Sequence, residues 1–105
     1  MIIKWLDSAE EDLLDFVRLE GRFFGQEVAA QVFDDIMSRV EVLESFPFLG
    51  TLESSIKYQD LEIRTLHERH TRIFYTVSDN EVVIVLVWDN RKDDNQINRA
   101  IRNAQ

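Results

Sequence analysis

Arg72 and Arg91 are the side chains of this chain best placed to do chemistry. They stand at the outer ends of two strand-forming runs, Arg-Ile-Phe-Tyr-Thr-Val and Glu-Val-Val-Ile-Val-Leu-Val-Trp, which flank the polar turn Ser78-Asp79-Asn80. An antiparallel hairpin brings its open ends together, so the two arginines are expected close together on one edge of a sheet. Such a pair can hold a phosphate, a carboxylate or a partner's acidic side chain. Each also has a plainer reading. Arg72 either contacts such a group or pairs with a nearby acid, Glu62 or Glu68, and Arg91 is either a contact or a surface or capping residue of a strand-to-helix turn. Arg64 is the third candidate, and its plainer role is a cross-strand pair worth ~0.2–1 kcal/mol. His67 and His70 flank a turn beside Glu68 and Arg69; a metal or acid–base role there competes with the plainer reading of two loop histidines in solvent without a clear third ligand. No metal and no cofactor is expected.

The elements that would position these residues follow from periodicity. Ile2, Ile3, Trp5 and Leu6 suggest a short first strand. Ser8-Ala9-Glu10-Glu11 has the spacing of a capping box, and acids at positions 10, 11, 12 and 15 suit a helix N-terminus. Ala9, Leu13, Phe16, Val17 and Phe24 then trace one helical face that ends near Gly21 or Gly25. Ala29, Val32, Phe33, Ile36, Val40 and Leu43 trace a second helix, stopped by Pro47. The short link makes the pair an antiparallel hairpin. Phe46-Pro47-Phe48-Leu49-Gly50 reads as a turn folded back on the core, and residues 51–57 read as a polar loop.

From Tyr58 the period becomes two: Leu61, Ile63 and Thr65 alternate with Glu62, Arg64 and Leu66. Two further strands follow, Arg72 to Val77 and Glu81 to Trp88, the last apolar on both faces and therefore central. Tyr75 is expected in the core with its hydroxyl at the rim, and Trp88 packed under a final short helix. Asp93 or Asp94 can cap that helix, in which Ile97, Ala100 and Ile101 form a stripe. The fold class is α+β in the order β-α-α-β-β-β-α. One face of an antiparallel sheet packs on the N-terminal helical hairpin; the other carries the alternate strand positions, Arg64 among them, and the C-terminal helix.

Composition bounds the function. The 105 residues make one domain, 1–105, with a core of two layers. Cysteine is absent, which removes disulfides and thiolate chemistry. No apolar run approaches the roughly 20 residues that span a bilayer, and the start lacks the pattern of a signal peptide; a cytoplasmic protein is expected. The net charge of −8 lies wholly in residues 1–54, which carry twelve acids and four bases, while residues 55–105 carry eight of each. A global field of this sign repels nucleic acid, so any anion site must be local and in the second half. The acidic stripes Glu10-Glu11-Asp12-Asp15 and Asp34-Asp35 read as the wet faces of helices.

In this order the elements resemble the RelE/ParE superfamily of bacterial toxins, the plasmid-stabilisation type of type II toxin–antitoxin systems. The resemblance runs over nearly the full length. It is carried by Trp5 with Ser8 to Leu13, the Phe46-Pro47 to Gly50 turn, Leu61-Glu62-Ile63-Arg64-Thr65-Leu66, Arg72-Ile73-Phe74-Tyr75 and Val87-Trp88-Asp89-Asn90-Arg91. It implies a toxin neutralised by a co-encoded cognate antitoxin, with one of two targets: DNA gyrase for ParE-like members, or mRNA on the ribosome for RelE-like endoribonucleases. In the RNases, strand arginines hold the scissile phosphate and stabilise developing charge. Arg72 matches the arginine that opens the third strand of the family, Arg91 the one after the last strand, and Arg64 falls near the basic positions of the second. Glu62 and Ile63 stand where ribosome-dependent members commonly carry further Lys and Arg, and Ile97 falls near the late aromatic or His. Those departures and the −8 charge favour gyrase-directed action over RNA cleavage, with a diverged protein that only binds its partner as the other alternative.

Overall fold

The computed structural model describes residues 1–105. Strand β1 (Ile2–Trp5) leads into helices α1 (Asp7–Phe24) and α2 (Gln26–Glu41), followed by a 3₁₀ turn at Val42–Glu44. Four strands come next, β2 (Thr51–Tyr58), β3 (Leu61–Glu68), β4 (Thr71–Ser78) and β5 (Glu81–Asp89), and the short helix α3 (Ile97–Arg102) closes the order. The sheet runs β1-β5-β4-β3-β2. It is antiparallel from β2 to β5, while β1 pairs with β5 in parallel. The helical hairpin is the crossover that makes this parallel pairing possible.

The α+β class and the helical hairpin are as expected. Ala9, Leu13 and Phe16 on α1 and Val32, Ile36 and Val40 on α2 are buried at helical spacing, and Gly25 alone joins the two helices. Its φ of 99° lies where an L side chain would be strained. Asp79 and Asn80 both take positive φ, the signature of a two-residue turn between β4 and β5, and Gln59-Asp60 do the same between β2 and β3.

Two cores flank the sheet. One joins the hairpin to Leu66, Ile73, Tyr75, Val82, Ile84 and Val87. The other joins α3 (Ile97, Ile101) to Ile63, Phe74, Val85, Leu86 and Trp88. The pairing of β4 with β5 shifts between Phe74↔Leu86 and Tyr75↔Ile84. Val85 is the extra residue of this bulge, so Val85 and Leu86 both enter the α3-side core. The bulge explains why the run Val82–Trp88 is apolar throughout. Trp88 packs under α3, as expected.

Four expectations need correction. Residues 51–57 form an edge strand, not a loop: β2 buries so little that its polar composition hid the strand, and its register breaks between Glu53 and Lys57. The order is therefore β-α-α-β-β-β-β-α. Arg64 lies opposite Tyr75, on the face of the helical hairpin, because Ile63 enters the α3-side core and the period of two turns Arg64 the other way. Ser8 does not cap α1, which has Leu6 at its N-cap position. Instead the Ser8 hydroxyl accepts from the Gln105 amide at 2.9 Å, and the Ser8 amide donates to the Gln105 carbonyl at 2.7 Å. Finally, Phe46 and Phe48 are each 64% exposed rather than folded onto the core. The backbone of that turn is what is anchored: the Tyr75 hydroxyl accepts from the Gly50 amide and donates to the Pro47 carbonyl, both at 2.8 Å.

Candidate functional site at the open end of the β4–β5 hairpin

The hairpin brings Arg72 and Arg91 to one end of the sheet, as strand geometry requires, but their guanidinium groups turn to opposite faces. Arg72, paired with Trp88 across the strands, reaches toward α3. Its Nε donates to Asn90 Oδ1 at 2.7 Å and its Nη2 to Asp94 Oδ1 at 2.5 Å. The group sits 5.9 Å from the centre of the Phe74 ring. Its acid partner is Asp94, not Glu62 or Glu68.

Arg91 turns toward α1. Nε and Nη2 grip the two Asp89 oxygens at 2.8 and 3.0 Å, and Nη2 also donates to Glu20 Oε2 at 3.2 Å. The guanidinium lies 5.4 Å from the centre of the Phe16 ring. Burial pushes the Asp89 carboxyl up, but the side-chain and backbone hydrogen bonds from Arg91 outweigh it and hold that carboxyl below its usual range. Asp89 in turn raises Arg91. Glu20 is buried because it falls on the inward stripe of α1, eleven residues after Ala9; its partner, Arg91, comes from the turn just after β5.

Arg64 sits at a third place. It donates to the carbonyls of Gly50 at 2.9 Å and Phe48 at 3.3 Å and lies 5.1 Å from the centre of the Phe48 ring. The three arginines therefore do not converge on one point. Arg69 is a fourth engaged arginine, bonded to Asp35 of α2, which holds that carboxylate below its usual range. His67 lies on β3 opposite Arg72, exposed, and His70 in the following turn. No three His, Asp or Glu side chains are grouped to hold a metal ion.

Glu20 and Asp12 are the two acids of α1 whose burial the sequence does not show. Asp12 is not on a wet face: its Oδ2 accepts from the Val87 amide at 3.3 Å. It lines a cleft of about 130 Å³ with Phe16, Trp88, Asp89 and Lys92. Burial pushes its pKa up to about 6, with the Val87 bond and Lys92 opposing. The available signal was its place three residues after Ala9 and four before Phe16, at the margin of the inward stripe. Trp88, which lines the same cleft, has its Nε1 buried without a partner.

Asp12 makes stability depend on pH. Its folded pKa lies above the unfolded value near 3.8, so the folded chain holds the proton more tightly. That contribution is fully present below about pH 3.8 and is lost as pH rises through about 6. Asp12→Asn keeps an acceptor for Val87 without the charge. It is expected to match the native chain near pH 3.5 and to exceed it at pH 7.5 by about 1–2 kcal/mol, the full shift being discounted for partial exposure. Urea unfolding at the two pH values measures it; a gap that does not widen with pH refutes the assignment.

The layout defines an α+β protein of five strands, with a helical hairpin on one face and the arginines clamped by acids at the hairpin's open end. The family model for the ParE toxin of the type II toxin–antitoxin system, parDE, matches residues 3–94, and the chain belongs to that family. Among solved structures, a chain of the chromosomal ParDE toxin–antitoxin system from P. aeruginosa is similar in fold. It has a TM-score of 0.68 and 23% identity, over 83% of this chain and 92% of that one. No curated protein matches the chain. No helix is long and apolar enough to cross a membrane.

Proposed function

We propose that this ParE-family toxin works in the cytoplasm as one domain, 1–105, is held inactive by a co-encoded antitoxin, and acts on DNA gyrase rather than on RNA. The observation that carries the choice of target is the engagement of the arginines. Arg64 is tied to two carbonyls, Arg72 to Asp94 and Arg91 to Asp89 and Glu20. Cleaving RNA by electrostatic stabilisation needs cations aimed together at the phosphate as charge develops. Arginines tied at three separate places do not provide that, whereas a toxin that works by binding needs no such convergence.

The purified protein is expected to inhibit supercoiling by gyrase and to trap cleaved DNA. Addition of the product of the neighbouring small gene should reverse both effects. No inhibition and no cleaved complex removes the gyrase reading. The endoribonuclease alternative assigns catalysis to Arg64, Arg72 and Arg91. It is scored in parallel by ribosome-dependent mRNA cleavage, which must be present in the native chain and lost in the folded Arg72→Ala/Arg91→Ala variant for that alternative to stand.

A further inference from the structure

The outer face of α3 presents Asn98, Arg99, Arg102 and Asn103 to solvent. We propose that this face contacts the phosphate backbone of the DNA that gyrase holds. The proposal rests on the gyrase reading above and adds the bound duplex to the surface the toxin meets.

The helix sorts its residues by side. Ile97 and Ile101 are buried in the α3-side core. At 3.6 residues per turn, positions 98, 99, 102 and 103 then fall away from the sheet, and all four are exposed. Arg99 and Arg102 stand three apart, so they are neighbours on that surface. Neither belongs to a salt bridge, unlike Arg72 and Arg91. From Asn95 to Gln105 the side chains include two arginines, five amides and no acid. The two acids just before them are engaged: Asp93 accepts from the Asn95 amide, and Asp94 is paired with Arg72.

The residue types select phosphate over protein. Arginine and asparagine are among the side chains that bind phosphate and sugar oxygens, and a guanidinium fork matches two phosphate oxygens at once. A protein interface centres instead on apolar or aromatic anchors that become buried. This face offers none, because Ile97 and Ile101 point into the core and Ala100 is half-buried. Backbone contacts of this kind carry no sequence preference.

The field of the whole chain explains why gyrase has to hold the duplex. The net −8 resides in residues 1–54, and the acidic helical hairpin packs on the face of the sheet opposite α3. Free DNA meets the repulsion of the full charge, which two phosphate contacts do not offset. On a duplex already held by the enzyme, α3 can face the phosphates with the hairpin turned away. Affinity for DNA alone is therefore expected to be weak.

The test titrates the toxin against gyrase and supercoiled plasmid, scoring trapped cleaved DNA at 50 and 200 mM salt. Arg99→Gln/Arg102→Gln is compared with Arg99→Lys/Arg102→Lys and the native chain, each verified as folded by circular dichroism. Loss of two phosphate contacts lowers the salt slope by about two. The glutamine variant is therefore expected to need about tenfold more protein than the native chain at 50 mM, with most of that gap gone at 200 mM. The lysine variant should recover most of the loss, because an ammonium also binds phosphate as a point charge. Asn103→p-benzoylphenylalanine, irradiated in the complex, should label the DNA. Native potency in the glutamine variant, a gap that ignores salt, or label on a gyrase subunit and not on DNA overturns the phosphate contact and leaves the gyrase reading standing. A native chain without effect on gyrase overturns both.

Discussion

Arg91→Ala is expected to lower the unfolding free energy by about 2–3 kcal/mol, the range for losing charged hydrogen bonds to buried carboxylates, held to its lower part because the guanidinium is partly exposed. The Glu20 and Asp89 side chains are only 6% and 9% exposed, against 43% for Arg91. Without the guanidinium, two carboxylates remain in the protein with no cation within bonding distance. The penalty comes from those stranded charges more than from the lost attraction.

The pH dependence gives the mechanism a second readout. Asp89 is held below its usual pKa in the folded chain, so its pairing stabilises the fold above the unfolded carboxylate pKa near 3.8 and loses that effect as pH falls below it. The gap between native and variant should therefore shrink in acid. Urea unfolding at pH 7 and pH 3, with an unchanged m-value, measures both effects. Arg91→Lys should fall between the two, because an ammonium restores charge without the two-pronged geometry. A variant as stable as the native chain would remove the structural role argued for Arg91. If that stable variant were also non-toxic, Arg91 would stand as a target contact instead.

Gly50→Ala is expected to cost about 2–3 kcal/mol, combining overpacking with loss of a buried hydrogen bond. A Cβ there would lie 2.7 Å from the Tyr75 hydroxyl oxygen, 2.8 Å from its Cε1 and 3.0 Å from the Thr65 carbonyl oxygen. Tyr75 cannot step aside: its ring is fully buried, and its hydroxyl holds Pro47 and Gly50 together. Tyr75→Phe alone removes that clamp and leaves the Gly50 amide without its acceptor, at about 1–2 kcal/mol. In the double variant the missing hydroxyl relieves the closest contact. Its cost should therefore be clearly less than the sum of the two, measured as the coupling of a double-mutant cycle. Strict additivity would show that the alanine methyl does not meet the tyrosine.

The helical hairpin was legible in the sequence because α1 and α2 each repeat apolar residues at a spacing that only a helix brings to one face, and Gly25 breaks the repeat. The β4–β5 hairpin was legible for a similar reason: Asp79-Asn80 supplies a two-residue turn, and the flanking residues are strand formers. Asp93 accepts from the Asn95 amide and so caps the 3₁₀ turn Asp94–Gln96; α3 itself follows from Gln96 without a side-chain cap, so the expected cap falls one turn early. The family resemblance drew on parts of those segments and also on Trp5, the Phe46–Gly50 turn and Leu61–Leu66.

What lay beyond the sequence was set by neighbours distant along the chain. Strand β2 buries too little to show a period, and becomes a strand only because β3 offers it an edge. Asp12 and Glu20 resemble the other acids of α1 until β5 covers them, after which one has a raised pKa and the other needs Arg91. Arg72 and Arg91 stand at the open end of one hairpin, as their positions require. Residue spacing brings two backbones together, but the direction of a side chain depends on which layer offers a partner. Here the turn leading into α3 holds Asp94 on one face and α1 holds Glu20 on the other, and the two arginines separate accordingly.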